Sequence, residues 1–128
     1  MATNTENKNV TEDEEIRPIT IRDTETNAVY TLEFNAESVK FAESRGFDVD
    51  EVPKFPVLLV PELFYYAFRM HHKSLPREKV NKIFDEIGNP LPKGLVARLQ
   101  NLYVQPLLAM LPKDDDEERK NTRMTVEF

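Results

Sequence analysis

The sequence predicts an α+β domain in which an N-terminal β-hairpin packs on a bundle of three to four helices. Two short segments near the N-terminus alternate apolar and polar residues, as strands do, and a turn-rich stretch separates them. A strand-to-helix transition follows, and Gly46 is placed to end that helix. From there to residue 111, apolar residues recur at helical spacing between proline, glycine and serine breaks.

The two strands are expected at residues 16–22 and 29–34, with a polar turn at 23–27 between them. Pro18 lacks a backbone N–H, which favours the start or the edge of a strand. A hairpin of this size is not stable alone and needs the helices to pack against it. The residues that share one face of the second strand are Tyr30, Leu32 and Phe34.

Four helical segments are expected after the hairpin. Asn35 and Ser74 are placed to cap the first and the third, because their side-chain oxygens can accept from the free N–H groups of a helix start. Gly46 and Gly88 are placed to end the same two helices. The expected ranges are 36–45, from 60 or 61 to 73, 75–87 and 93–111.

The length of 128 residues suits one domain. The net charge of −6 belongs to the two ends: residues 1–15 hold five acidic residues and one basic, and residues 112–128 hold six acidic and four basic. Residues 16–111 carry equal numbers of both signs. We therefore expect a disordered acidic tail at 1–15, a single domain at 16–111, and a charged linker with a mobile, strand-like tail at 112–128.

The residue types argue against catalysis and against metal or cofactor binding. The chain has no cysteine, and adjacent His71 and His72 point about 100° apart on a helix, so they cannot chelate one ion. The three glycines form no phosphate-binding loop, and no serine lies in a nucleophile motif. We expect a non-enzymatic protein that binds no cofactor.

Charge and hydropathy also bear on the partners. The balanced charge of residues 16–111 lacks the basic surface that nucleic acids require. No apolar run reaches the ~18–20 residues that span a bilayer, and the polar N-terminus lacks the apolar region of a signal peptide. We therefore expect no nucleic-acid or membrane partner, and a location in the cytoplasm.

Two segments are candidates for binding another protein. Residues 63–68 are apolar around almost the whole circumference of their helix, which fits either complete burial or contact with both the core and a partner. Residues 122–128 alternate like a strand. The candidate contact residues are Leu63, Phe64, Tyr65, Phe68, Met124, Val126 and Phe128.

The neutral domain has an uneven charge distribution. Five bases and one acid lie between residues 69 and 82, whereas four acids and one base lie between residues 43 and 51. Opposite patches of this kind can orient head-to-tail self-association, although a solvated surface gives the same pattern. The candidate residues are Asp48, Asp50 and Glu51 on the acidic side and Arg69, Lys73 and Arg77 on the basic side.

Several stretches resemble a family of small proteins of tailed bacteriophages, an uncharacterised phage domain often taken for tail assembly chaperones. The likeness covers about residues 29–111 and the extreme C-terminus, whereas the acidic N-terminal extension and Pro106 have no counterpart in it. It contains no catalytic motif. The stretches that carry it are VYTLEF at 29–34, RGFDVDEV at 45–52, AFRMHHK at 67–73, VNKIFDEI at 80–87 and MTVEF at 124–128.

The resemblance implies a chaperone that coats the tape-measure protein and self-associates in the cytoplasm of the bacterial host. Tail-tube subunits would displace it from that long, partly apolar helical chain, and a tail-tube protein is a possible further partner. Two other hypotheses about the function stay open. One is a structural subunit of the tail or neck that remains in the virion, and the other is a regulator that binds a protein of the host.

Overall fold

The computed structural model describes residues 16–88, 90–111, 123–124 and 127–128. The predicted tail at 1–15 and most of the predicted linker and tail at 112–128 lie outside the described residues. The elements in chain order are β1 (Ile19–Arg22), β2 (Val29–Leu32), α1 (Ala36–Ser44), a 3₁₀ turn (Val49–Glu51), α2 (Pro56–Ala67), α3 (Arg77–Ile87) and α4 (Leu95–Met110). The predicted α+β class, a hairpin followed by four helices, is confirmed.

The hairpin is antiparallel and pairs Ile19 with Leu32 and Ile21 with Tyr30. Its turn is closed by Asp23, whose N–H donates to the Ala28 carbonyl (2.8 Å) and whose carboxylate accepts from the N–H groups of the turn. These turn hydrogen bonds lower the pKa of the Asp23 carboxyl group. Both strands are shorter than predicted.

The second strand ends at Leu32, two residues before its predicted end. The N–H of Glu33 donates to the carbonyl of Ala67 (3.0 Å), on the side of the strand that faces away from β1. Phe34 nevertheless stays buried, where its ring lies 4.9 Å from that of Tyr103, centroid to centroid. The end of β2 is thus joined to the helices by one backbone hydrogen bond and one aromatic contact.

Helix α1 has the caps that the sequence predicts. The Asn35 side chain accepts from the N–H of Ser38 (2.8 Å), and the Ser38 hydroxyl accepts from the N–H of Asn35 (2.9 Å), which completes a capping box. Gly46 follows the helix with φ of +86°, a left-handed conformation that favours glycine. The N–H of Phe47 then returns to the Ala42 carbonyl (3.1 Å).

Three helix starts and one helix end differ from the prediction. Helix α4 begins at Leu95, two residues after the predicted start, and Gly94 before it has a left-handed φ of +84°. Helix α2 ends at Ala67, before the predicted end at residue 73.

Helix α2 begins at Pro56, ahead of the predicted Val60 or Pro61, because a proline costs nothing at the first helical position, where its missing N–H has no partner. Helix α3 begins at Arg77, and Ser74 is not its cap. Pro76 restricts the residue before it to extended backbone, which ends the possibility of a helix through residue 75.

Helix α2 lies at the centre of the domain and packs against α1, α3 and α4. One hydrophobic core draws side chains from both strands and all four helices. Its buried aromatic rings form two sets of edge-to-face contacts at centroid distances of 4.9 to 5.5 Å, a geometry that aromatic pairs favour. Phe64 and Phe68 form one set, and Phe34, Phe47, Tyr66 and Tyr103 form the other.

Tyr103 is buried in this set, and its hydroxyl has no hydrogen-bond partner among the described residues. Burial, followed by the nearby charges of Glu43 and Asp48, raises the pKa of that hydroxyl far above its usual range. The group therefore stays neutral, and its desolvation is not offset by a hydrogen bond.

We expect Tyr103→Phe to stabilise the domain by about 1 kcal/mol, because it removes a buried hydroxyl that lacks a partner and keeps the ring contacts. Urea unfolding of the variant and the wild type measures this difference, and Tyr30→Phe at a half-buried position is the matched control. A loss of stability for Tyr103→Phe would show that the hydroxyl is hydrogen-bonded in solution.

Candidate functional site

The aromatic segment of α2 is mostly core. Leu63, Phe64 and Phe68 are at most 1% exposed, so these three are not the partner-binding surface that the sequence suggested. The reason is that α2 is covered by three other helices and by the end of the hairpin, which leaves no free side at these positions. Tyr65 is half-buried, and the guanidinium of Arg77 lies 4.4 Å from its ring centroid.

The basic candidates for self-association are largely engaged within the chain. Arg69 bonds to Glu37 of α1 (3.3 Å) and lies 3.7 Å from the centroid of the Phe41 ring. Arg77 of α3 pairs with Glu62 of α2, and the Arg77 pKa is raised, first by that hydrogen bond. Arg69 and Arg77 are thus paired within the chain, and Lys73 is exposed. The part of all three in self-association stays a prediction.

The acidic candidates lie together around the 3₁₀ turn. The Asp48 carboxylate accepts from the N–H of Asp50 (3.0 Å), so Asp48 serves as the cap of that turn. Glu51 lies 3.8 Å from the Lys54 ammonium, a surface ion pair that contributes little to stability. Asp48 and Asp50 are exposed, and their part in self-association stays a prediction.

The two histidines hold the hairpin to the helices. They follow the end of α2, where the imidazole of His71 contacts the Glu33 carboxylate (2.8 Å) and the N–H of Thr31 donates to His72 Nε2 (2.9 Å). Nε2 can accept only in the neutral ring that carries its proton on Nδ1. Burial, and then the charge of His71, lowers the His72 pKa, which favours this neutral form.

The described residues contain no group of three histidine or acidic side chains that could hold a metal ion. None of the helices within those residues has the length and hydropathy to cross a membrane.

An apolar groove lies at the other end of α2, where the sequence prediction missed the first turn of the helix. We use "apolar groove" for a cavity of about 500 Å³ between the start of α2, the end of α3 and the start of α4. Asp85 is the one charged residue among the described residues that line it. Its apolar walls include Val57, Val60, Pro61, Phe84, Leu91 and Val96.

Large apolar side chains are exposed at the start of α2, next to the apolar groove. Val57, which lines the groove, is 91% exposed, and its chain neighbours Phe55 and Leu58 are more than half exposed. A contiguous exposed apolar surface beside a groove is typical of a protein-binding site. The sequence signal that could have located it is Pro56 before VLLV, which marks a helix start whose first turn carries only apolar residues.

The C-terminal candidates for partner binding, Met124 and Phe128, are not among the residues that line the apolar groove. Met124 and Phe128 are exposed. Val126 lies outside the described residues, so its role stays a prediction.

A comparison with protein-family models matches residues 1–128 to the domain of unknown function DUF5055. The chain belongs to this family. No curated protein and no solved structure matches it. The DUF5055 family is described without an activity.

We expect the stability of this DUF5055 domain to fall as the pH drops below the value of about 6.5 at which a histidine of the unfolded chain titrates. The folded-state pKa of His72 is lowered, so its contribution is complete above that pH and is lost as protons bind below it. Urea unfolding at pH 7.5 and 5.5 measures the effect, which His72→Gln should reduce because an amide oxygen accepts without titrating.

The same comparison in a His71→Gln background separates His72 from the His71–Glu33 pair. An equal loss of stability on acidification with and without His72 would contradict the assignment.

Proposed function

We propose that this domain is a non-enzymatic protein-binding module whose apolar groove takes the apolar face of a helix from another protein. The observation that carries the proposal is the groove itself, about 500 Å³ in volume, with Val57 91% and Leu58 67% exposed beside it. A groove of this size receives a few apolar side chains spaced one helical turn apart, as in other helix-in-groove complexes. Burial of each such side chain contributes about 1.5–3 kcal/mol.

Most of the groove is formed by elements of the core. Its walls come largely from three helices that also contribute buried residues to the core, such as Val60, Val80 and Leu99. Gly88 and Leu91 from the connection between α3 and α4 complete the lining. A preformed groove loses little conformational entropy on binding. Its lining side chains are mostly aliphatic, and they offer shape and hydropathy with few directional hydrogen bonds. Such a surface suits partner helices of varied sequence.

We propose that the partner is the tape-measure protein of a long-tailed bacteriophage and that the domain acts as a tail assembly chaperone in the host cytoplasm. The resemblance of residues 29–111 to small tailed-phage proteins supports this, together with a groove suited to helices. A long helical chain offers repeated apolar faces, so several self-associating copies can cover it. Modest affinity for each copy, strengthened by avidity, would still permit displacement by the tail-tube protein.

We expect the double substitution Val57→Lys with Leu58→Lys to weaken binding to a tape-measure fragment by at least about tenfold, because two exposed apolar contacts are replaced by charges. Pull-down and calorimetry with a co-expressed fragment measure this. Both side chains are exposed, so the fold should be retained. The matched control is Leu108→Lys with Met110→Lys, at the far end of α4 from Val96.

Unchanged binding by the Val57 and Leu58 variant would show that the apolar groove is not the binding site for the tape-measure fragment. The chaperone role also requires that the protein be absent from purified virions, because it leaves before the tail is complete. Its presence there in stoichiometric amounts would contradict that role and favour a structural tail or neck subunit.

A further inference from the structure

The backbone of the hairpin shows which edges of its sheet are open. The N–H of Thr31 donates to His72, away from β1, so Thr31 and its partner Thr20 form a pair without hydrogen bonds between the strands. The N–H of Asp23 donates across the hairpin to the carbonyl of Ala28. Hydrogen-bonded and non-hydrogen-bonded pairs alternate along an antiparallel hairpin, so the pair of Arg22 and Val29 also lacks hydrogen bonds between the strands. The backbone groups of Thr20 and Arg22 therefore point away from β2.

The outer edges of the two strands differ in their backbone hydrogen bonds. The outer edge of β2 is covered, because Thr31 and Glu33 donate to His72 and Ala67 beyond it. On the outer edge of β1, Thr20 and Arg22 are both exposed, and neither makes a backbone hydrogen bond to another described element. An edge strand with free N–H and C=O groups is a template for one more strand.

The space beside this hairpin can receive side chains. A second cavity of about 500 Å³ lies between the hairpin and α3. Ile21, Ile83 and Ile87 give it apolar walls. Its charged lining residues are of both signs, namely Arg22, Asp23, Glu25, Lys79, Lys82 and Glu86. A strand added to β1 would place alternate side chains toward this cavity, because residues two apart share a face.

The same chain contains a segment with the pattern of such a strand. In residues 123–128, RMTVEF, the apolar Met124, Val126 and Phe128 alternate with polar residues. Met124 and Phe128 are exposed on their own chain. The polar face carries Arg123 and Glu127, and the matching face of β1 carries Arg22. A register that sets Glu127 opposite Arg22 pairs opposite charges.

We propose that residues 122–128 of a second copy add as a third strand to the open edge of β1. In this arrangement each copy supplies one strand and receives one, so the contact is head to tail and links copies into a chain or a ring. The inference deepens the self-association in the proposed function and rests on it. It gives the copies a way to line up along a long partner without using the apolar groove.

The first test uses a variant that lacks residues 122–128 and a labelled synthetic peptide of that sequence. The full chain should show concentration-dependent association in analytical ultracentrifugation, and the shortened variant should be monomeric. The peptide should bind the shortened variant and slow the hydrogen exchange of the Thr20 and Arg22 amides, because both N–H groups become hydrogen-bonded.

Substitutions in the protein and in the peptide test the backbone pairing. Thr20→Pro removes an outward N–H on an edge strand and should weaken peptide binding by about tenfold, the equivalent of one hydrogen bond. Thr20→Val keeps the N–H and is the matched control. Peptides with Thr125→Pro and with Val126→Pro carry no risk to the fold. The N–H groups of adjacent strand residues point to opposite sides, so one of the two peptides should bind the unaltered protein at least about tenfold more weakly.

Three results would overturn the inference. In the first, the shortened variant associates as the full chain does, which leaves self-association standing but places it elsewhere. In the second, the peptide changes hydrogen exchange at Val57 and Leu58 and leaves Thr20 and Arg22 unchanged. In the third, the full chain is monomeric at all concentrations, which removes self-association from the proposed function while helix binding in the apolar groove is tested separately.

Discussion

Burial of helix α2 is the constraint on which the other features of this domain depend. Its side chains are apolar in nearly every direction, and the remaining elements cover it because such a helix is unstable in water. Helices α1, α3 and α4 pack on it, and the backbone and histidines at its C-terminal end hold β2. Only the first turn, at Val57 and Leu58, extends past these neighbours, and there the apolar groove opens.

The charged residues around α2 fix the neighbouring helices in place. Arg69 ties the end of α2 to Glu37 of α1, and Arg77 ties the start of α3 to Glu62 within α2. Each guanidinium also lies over an aromatic ring, Phe41 or Tyr65, which gives it a cation–π contact. Two of the five bases that look like an interaction patch in the sequence are thus paired with acids on other helices.

The sequence was sufficient for features that depend on neighbouring residues. The Asn35 cap, the Gly46 helix end and the strand alternation all arise from local backbone preferences, and the structure has them as predicted. The predicted start of α2 is wrong because Pro56, and not Pro61, holds the first-turn position. The apolar groove was missed for the same reason, since its rim belongs to the overlooked turn.

Features that depend on distant residues could not be read from one sequence. The pairing of Thr31 with His72 spans 41 positions, and nothing local marks it. The choice between core and surface at Leu63, Phe64 and Phe68 also depends on which helices cover α2, because an all-apolar helix is compatible with both. Val57 and Leu58 are apolar like those core residues, but they are exposed because the neighbouring helices do not cover them.

Equilibrium unfolding of Phe64→Ala tests the central position of α2 most directly. Phe64 is fully buried between Phe68 and Phe84, so the account predicts a loss of about 3–5 kcal/mol, comparable with the whole stability of a small domain. A variant that keeps the wild-type unfolding midpoint but loses binding to a partner helix would contradict it. That result would place Phe64 on an interaction surface and α2 at the edge of the fold.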